Sequence, residues 1–329
     1  MKNLSIIGAG SWGTALAIVL APRFSQVRLW AHEGDLAQRM SATRVNDVFL
    51  PDCQLPINVV ITSGILEALQ DAEIVLSVMP SHLARAVYQR MLPGLNESMV
   101  FVSATKGLEN HSLLRISEVI CEVVGTSRVA VISGPSFARE VARFEPTAVV
   151  AASAEPGLAE AVQAAFSGPT FRVYASSDPI GVEIGGSIKN VVAIGAGVLH
   201  GMGLGHNAMA ALITRGLAEM TRLAVAMGGK PLTLAGLAGL GDLVLTCTGD
   251  LSRNRTVGIE LARGRGLEEI VNSMKMVAEG VKTTDAAVDL ARRYAVEMPI
   301  AAQMHRMLHS GASPQEAIRQ LMERSLKGE

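Results

Sequence analysis

The sequence predicts two domains, a doubly wound α/β domain with a mostly parallel sheet followed by an all-helical domain. A chain of 329 residues is longer than one hydrophobic core usually supports. Before Asp178, short apolar runs alternate with helical segments, which favours parallel strands joined by helices. After Asp178, long helical segments replace the apolar runs. We therefore expect domains at residues 1–182 and 183–329.

The N-terminal domain begins with an apolar run that leads through three glycines into helix-forming residues. Gly8, Gly10 and Gly13 have GxGxxG spacing in the segment GAGSWG. Gly8 permits a tight turn, Gly10 leaves room for a pyrophosphate, and Gly13 lets the helix lie close to the strand. The unpaired N–H groups of the helix N-terminus would face the anion. The pattern predicts a dinucleotide site in a Rossmann-like domain.

Further apolar runs predict the remaining strands of the sheet. They are Gln26–Trp30, Asn58–Ile61, Glu73–Val78, Met99–Ala104, Arg128–Ser133, Pro146–Ala151 and Thr170–Tyr174. Ligands bind at the carboxyl ends of strands in open parallel sheets, so we expect the loops that carry Lys106 and Gly134 to line a site. His32 and Glu33 follow the second strand, where cofactor choice is made. They leave NAD and NADP open, because no carboxylate directly ends the strand and no arginine is adjacent.

The C-terminal domain is predicted from segments with helical character. They are Val182–Val198, Ala208–Met227, Arg255–Ala262, Thr283–Tyr294 and Ile300–Leu308. Gly185 and Gly186 interrupt the chain near the expected boundary. Residues 190–214 lack Asp, Glu, Lys and Arg, but their glycines, histidines and asparagines make a poor bilayer span. We expect no membrane insertion.

Composition indicates a small-molecule partner. The net charge is −1, 18% of residues are charged, and like charges are not clustered, so a nucleic-acid surface is not expected. Cys53, Cys121 and Cys247 are far apart and form no CxxC, which favours reduced thiols in a cytoplasmic protein. His200 and His206 lack a supporting carboxylate motif, so no metal site is expected.

Polar groups in apolar surroundings indicate chemistry. Lys189 is flanked by small and apolar residues, and a buried ammonium requires a partner or a function. Asp242 alone is compatible with a glycine-rich turn, and Ser252 with a helix N-cap. Together with Lys106 and the segment SRNR, these groups could neutralise a phosphate, and a lysine beside a carbonyl could exchange its proton.

The ordered motifs resemble a known enzyme family. GAGSWGTALA, TKGLE, SGPSFAREVA, GVEIGGSIKNVVAIGAG, GLAGLGDLVLTCT, SRNR and AEGVKTT span the chain from Lys2 to about Met298. In this order they are similar to the soluble NAD(P)-dependent glycerol-3-phosphate dehydrogenase of bacterial phospholipid synthesis. The resemblance implies reversible reduction of dihydroxyacetone phosphate to sn-glycerol 3-phosphate by NADH or NADPH in the cytoplasm, without a metal.

The resemblance also implies roles for individual residues. Lys189 matches the catalytic lysine of the family. The substrate positions match Lys106, Gly134, Ser136, Lys189, Asp242, Ser252, Arg253 and Asn254. The cofactor positions match Gly8, Gly10, Ser11, Trp12, Gly13, His32, Lys106, Ala138, Arg253, Val277 and Glu279.

Two other functions stay open from the residues alone. A β-hydroxyacid dehydrogenase also joins a Rossmann domain to a helical domain with a lysine in a glycine-rich helix, but its substrate carries a carboxylate. A non-catalytic dinucleotide sensor would need Lys189 and Asp242 to be structural. We expect a homodimer that forms through the helical domain.

Overall fold

The computed structural model describes residues 2–274 and 278–325. The strands within these ranges are β1 (Asn3–Ile7), β2 (Gln26–Trp30), β3 (Val45–Asn46), β4 (Leu50–Gln54), β5 (Val59–Thr62), β6 (Ile74–Ser77), β7 (Val100–Ser103), β8 (Val129–Ser133), β9 (Thr147–Ala152) and β10 (Phe171–Ser176).

The helices comprise seven in the N-terminal part and a longer series after Asp178. They are α1 (Ser11–Leu20), α2 (Gly34–Thr43), α3 (Ile65–Ala68), α4 (Ala84–Met91), α5 (Ile116–Val124), α6 (Ala138–Ala142), α7 (Leu158–Phe166), α8 (Pro179–Gly201), α9 (His206–Ala226), α10 (Pro231–Ala235), α11 (Asp242–Thr248), α12 (Arg253–Ala262), α13 (Leu267–Ser273), α14 (Glu279–Arg293), α15 (Pro299–His309) and α16 (Pro314–Met322).

The large sheet has eight strands in the order β10-β9-β8-β7-β6-β1-β2-β5. Neighbouring strands are parallel except β8 and β9, which are antiparallel. The predicted α/β fold with a mostly parallel, doubly wound sheet is confirmed. Strand β1 lies between β2 and β6, and the connections from β1 and from β6 lead to opposite sides of the sheet. In open parallel sheets this reversal of strand order forms a crevice at the carboxyl ends of the two strands, here β1 and β6.

Apolar side chains on both faces of the sheet hold the helices against it. Ile6 belongs to the cluster that includes residues of α1 and α7, whereas the adjacent Ile7 belongs to the cluster with residues of α4 and α5. Alternate strand positions point to opposite faces, which explains why both residues are fully buried.

The sequence analysis missed the small hairpin β3–β4, and also α10, α11, α13 and α16 in the second half. The hairpin pairs two antiparallel strands with an irregular register. Its second strand contains Pro51 and Asp52, residue types that strands disfavour. Tertiary contacts of this segment therefore outweigh its local preference.

The helical domain is built around α8, which is buried along nearly its whole length. An 18-residue window of α8 has a mean hydropathy of 1.4, enough by length and composition for a membrane span, and is 100% buried inside the protein. Gly185 and Gly186 lie inside this continuous helix and do not interrupt it. The expected boundary between residues 182 and 183 falls within α8, and the division into 1–182 and 183–329 stays a prediction.

A close helix crossing joins α8 to α12. A Cβ atom on Gly197 would lie 2.0 Å from the carbonyl oxygen of Arg255, and one on Gly258 would lie 1.9 Å from that of Ile194. Only glycine at both positions allows the two backbones to approach this closely. The crossing brings the start of α12, with Ser252, Arg253 and Asn254, toward the middle of α8.

Candidate active site

The glycine loop after β1 has the geometry of a pyrophosphate cradle. Gly8 has a φ of 122°, and a Cβ there would lie 2.2 Å from the carbonyl oxygen of Val78. A Cβ on Gly13 would lie 1.8 Å from the carbonyl oxygen of Gly8, so the helix packs directly on the loop. In the described part of the chain, and apart from Gly10 and its two chain neighbours, no atom lies within 4 Å of the Cβ position of Gly10. That space is where a phosphate would lie.

Hydrogen-bond donors at the start of α1 are available for a ligand. No side chain caps the N-terminus of α1 within the described residues, so the N–H groups of Ser11 and Trp12 are available to an anion. The Nε1 atom of Trp12 is buried and has no hydrogen-bond partner among residues 2–274 and 278–325. Buried donors are nearly always paired, so these groups fit a bound dinucleotide.

Asn46 of the β3–β4 hairpin braces the glycine loop, and the sequence analysis missed it. It is fully buried and donates from Nδ2 to the carbonyl oxygen of Ala9 and to Oγ1 of Thr14, both at 2.8 Å. Its Oδ1 accepts the N–H of Phe49 at 3.0 Å. A buried asparagine more than thirty residues from the loop gives no local sequence signal.

Two other expected cofactor residues lie at neighbouring loops. His32 follows β2 and is exposed, with its ring centroid 5.7 Å from that of Trp30. Ala138 is the first residue of α6, which packs on α1. Both positions lie beyond carboxyl ends of parallel strands, β2 and β8, at the sheet edge that also carries the glycine loop.

A buried ion pair lies where α8 meets α11. Lys189 and Asp242 are 5% and 1% exposed, and Nζ of Lys189 lies 2.5 Å from Oδ1 of Asp242. Lys189 also donates to Oγ1 of Thr246 at 2.8 Å, and the Thr246 hydroxyl donates to the carbonyl oxygen of Asp242 at 2.6 Å. The Thr246 hydroxyl has one proton and donates it to that carbonyl, so its oxygen accepts the hydrogen bond from Lys189. Sequence reasoning overlooked Thr246, one helical turn after Asp242.

Lys106 completes this ion cluster from the sheet domain. Its Nζ donates to Oδ2 of Asp242 at 2.9 Å and to the carbonyl oxygen of Gly134 at 3.2 Å. Burial lowers the pKa of Lys189 to about 7; Asp242 opposes this shift and the charge of Lys106 adds to it. The structure thus brings together two amines on one carboxylate, with one amine poised to exchange a proton near neutral pH.

The loop after β8 lies against this cluster. Ser136 donates from Oγ to the carbonyl oxygen of Gly134 at 2.8 Å. Gly134 has a φ of 148°, and a Cβ there would lie 2.9 Å from Cα of Val149, so the loop requires glycine. The carbonyl oxygen of Gly134 thus accepts hydrogen bonds from both Lys106 and Ser136, which places Ser136 close to the Lys106 ammonium.

The start of α12 reaches the site through a chain of amides. Nδ2 of Asn254 donates to Oδ1 of Asn190 at 2.9 Å, and Oδ1 of Asn254 accepts the N–H of Gly280 at 2.9 Å. Asn190 directly follows Lys189, and Gly280 directly follows Glu279. Asn254 is thus linked to the neighbours of two expected site residues.

Ser252, Arg253 and Glu279 occupy different environments. Ser252 is buried and accepts the N–H of Arg255 at 3.3 Å, which is the N-cap role considered above. Arg253 is exposed as a whole residue, but partial burial of its guanidinium lowers its pKa, and the charge of Glu279 opposes this shift. Oε2 of Glu279 accepts from the Ser81 hydroxyl at 3.0 Å. The expected cofactor residue Val277 lies outside the described residues.

Comparisons with known proteins agree along the whole chain. Models of the N-terminus and C-terminus of NAD-dependent glycerol-3-phosphate dehydrogenase match residues 3–159 and 178–319. A glycerol-3-phosphate dehydrogenase (NAD(P)+) of Koribacter versatilis is 57% identical, with 98% of each chain covered. The corresponding protein of Geobacter sulfurreducens is 51% identical, covering 100% of this chain and 99% of that protein.

A solved structure gives the same result. The crystal structure of glycerol-3-phosphate dehydrogenase from Coxiella burnetii has a TM-score of 0.94 and 44% identity, and covers 98% of this chain and 99% of that one. Both family models, the full-length relatives and the fold therefore agree. The chain belongs to the NAD-dependent glycerol-3-phosphate dehydrogenase family.

Proposed function

We propose that this chain catalyses the reversible reduction of dihydroxyacetone phosphate to sn-glycerol 3-phosphate with NADH or NADPH. The observation that carries the proposal is the buried Lys189–Asp242 pair, joined by Lys106 at the edge of the sheet, in a chain of this family. The product would supply the glycerol phosphate backbone of phospholipids.

Lys189 acts as the proton donor in the direction of reduction. When bound, the nicotinamide supplies the hydride, and negative charge then grows on the carbonyl oxygen of the substrate. An ammonium has three N–H groups, and Asp242 and Thr246 accept two of those of Lys189. A third N–H can stabilise the oxygen and protonate it. In the direction of oxidation the neutral amine accepts the proton.

Lys106 and the start of α12 hold the phosphate and orient the substrate. Lys106 is partly exposed and supplies a positive charge beside Gly134 and Ser136. Arg253 is exposed, and its planar guanidinium matches phosphate oxygens through paired N–H donors. Ser252 and Asn254 flank it and contribute polar groups. Asp242 bridges the two lysines, with one carboxylate oxygen for each ammonium group, and so fixes their orientation.

The cofactor is held by the glycine loop and the strand ends beside it. Gly8, Gly10 and Gly13 shape the cradle, and Ser11 and Trp12 offer N–H donors to the pyrophosphate. His32 would contact the ribose end of the cofactor, and Ala138 at the start of α6 would border it beside α1. Arg253 and Glu279 would contact it from the helical domain, and Val277, the neighbour of the latter by two positions in the sequence, stays an expected contact that lies outside the described residues. The exposed His32 and the lack of a carboxylate on Ala31 admit both NADH and NADPH.

The test is an absorbance assay that follows NADH and NADPH separately with dihydroxyacetone phosphate. We expect oxidation of both cofactors, with kcat/KM values that differ by less than about 10⁴. A 3-oxo acid is the matched control for the β-hydroxyacid dehydrogenase alternative, because it offers a carboxylate instead of a phosphate. Turnover of the 3-oxo acid alone would favour the β-hydroxyacid dehydrogenase alternative, and absence of turnover with either compound would favour the sensor alternative.

We further propose that the protein works in the cytoplasm as a homodimer with its contact on the helical domain. The three cysteines are free, and Cys53 and Cys247 are buried, as reduced thiols in a reducing compartment would be. Sedimentation analysis of the purified protein tests the dimer.

A further inference from the structure

We propose that Asp285, His305 and His309 form an accessory site for a divalent transition-metal ion, with Zn²⁺ as the best match. Asp285 lies on α14 and the two histidines on α15. One ligand atom from each residue lies within 4.8 Å of the other two. None of the three belongs to the active site described above.

The distances from each histidine nitrogen to the Asp285 oxygen are close to those between the ligand atoms of a bound zinc ion. His305 and His309 are four residues apart and share one face of α15. Their Nε2 atoms lie 3.5 and 2.8 Å from Oδ1 of Asp285. Tetrahedral zinc, with bonds of about 2.0–2.1 Å, separates its ligand atoms by roughly 3.3 Å. We expect rotation of the side chains to bring the three atoms to this spacing without movement of the helices.

Exposure and charge also suit an ion. The side chains of His305 and His309 are 34% and 35% exposed, and that of Asp285 is 48% exposed, which leaves an open side for entry and for water ligands. The neighbouring Arg306 donates to Gln303 and Gln320, so its charge is directed away from Asp285.

The chemistry of the donor set selects the class of ion. Two imidazoles and one carboxylate suit Zn²⁺, whereas Mg²⁺ and Ca²⁺ take oxygen ligands. An ion at this site joins α14 to α15 and stabilises the folded protein, because the unfolded chain does not hold the three groups together. We expect the ion to stabilise the fold and to take no part in hydride or proton transfer, because none of its three ligands belongs to the active site.

Calorimetric titration of the full chain, without a histidine tag, tests the site. The titration uses a Cys121→Ser background, because Cys121 is an exposed thiol that could bind zinc itself. We expect one Zn²⁺ per chain, a rise in Tm with Zn²⁺, and no response to Mg²⁺.

The variant His305→Ala/His309→Ala should bind Zn²⁺ at least tenfold more weakly and lose the zinc-dependent rise in Tm. Alanine favours helix, so this variant should fold, and its unchanged kcat in the presence of a chelator checks that. His206→Ala removes an exposed histidine at the start of α9 and should bind Zn²⁺ as the parent does. Equal affinity in parent and double variant, or no binding at about 100 μM Zn²⁺, would overturn the proposal.

Discussion

At the scale of single residues, the chemistry rests on how Lys189 is surrounded. Burial makes the charged form costly, Asp242 compensates, and Lys106 adds a second positive charge to the same carboxylate. These opposing effects place the pKa of Lys189 at about 7, where it can both give and take a proton.

Replacing Lys189 with methionine tests the proton donor. The change keeps the apolar stem but removes the charge and the proton, so we expect kcat to fall by at least about 10³ while NADH affinity is retained. Lys106→Met is the contrast, because loss of a phosphate contact should raise the KM for dihydroxyacetone phosphate as well. Steady-state kinetics measure both. A Lys189→Met enzyme with more than about a tenth of the parent kcat would refute a general-acid role.

The pH dependence of the rate follows from the same residue. Below a pKa of about 7 Lys189 carries the proton that reduction requires, and above it the neutral amine is the base that oxidation requires. The kcat/KM for reduction should therefore fall as pH rises through 7, while that for oxidation should rise. Rate profiles in both directions measure this. Flat profiles between about pH 6 and pH 8 would contradict the assignment.

At the scale of elements, the β3–β4 hairpin supports the cofactor loop from outside. Asn46 fixes the carbonyl of Ala9 and the hydroxyl of Thr14, which lie on either side of the helix N-terminus. A loop that is already in place loses less entropy when the pyrophosphate binds.

The variant Asn46→Ala should raise the Kd for NADH at least about fivefold. The hydrogen bonds that hold the loop in place are lost, and ordering the loop then weakens binding by roughly 1 kcal/mol. The kcat at saturating cofactor should change little, because Asn46 touches no residue of the Lys189 cluster. Fluorescence titration with NADH gives the Kd.

Asn58→Ala is a matched control for this test. Asn58 also donates to two backbone carbonyl oxygens, those of Ala21 and Phe24, at the opposite end of α1. It should lower the stability of the protein without changing the Kd for NADH. If both variants weaken NADH binding equally, Asn46 acts only through general stability.

At the scale of the whole molecule, a buried ion pair fixes the sheet domain to α8. Arg115 at the start of α5 donates to Oε2 of Glu183 at 2.7 Å, and the backbone and hydroxyl of Ser117 donate to the same carboxylate. Burial raises the pKa of Glu183, and Arg115 opposes the shift. Glu183 and Lys189 lie on one helix, so this contact also sets where the amine meets the sheet.

Removing Glu183 should destabilise the protein, because the charge of Arg115 then stays buried without its counter-ion. Glu183→Ala should lower the free energy of unfolding by about 3 kcal/mol, because Arg115 loses its buried counter-ion. Glu118→Ala removes the other carboxylate that Arg115 contacts, which is 42% exposed, and should cost at most about 1 kcal/mol. Urea unfolding compares the two. Equal losses would show that the buried pair contributes no more than the exposed one.

The sequence by itself determined the fold class and the family, and it predicted most of the residues of the candidate site. GxGxxG spacing after an apolar run requires a strand, a tight turn and a helix, and the eight strands of the large sheet follow from short apolar runs, because local patterns carry that information. The family prediction is confirmed by models that match both halves of the chain. The assignment of individual site residues stays a prediction.

Only the tertiary structure decided which polar groups meet. The bond from Asn46 to Ala9, the bond from Lys189 to Thr246, and the group formed by Asp285 with two histidines all join separate segments. Gly185 and Gly186 likewise read as breaks in the sequence but lie inside a helix, where they allow close packing. Secondary structure follows from local periodicity, whereas these contacts depend on how distant segments pack, and packing is set by the whole chain.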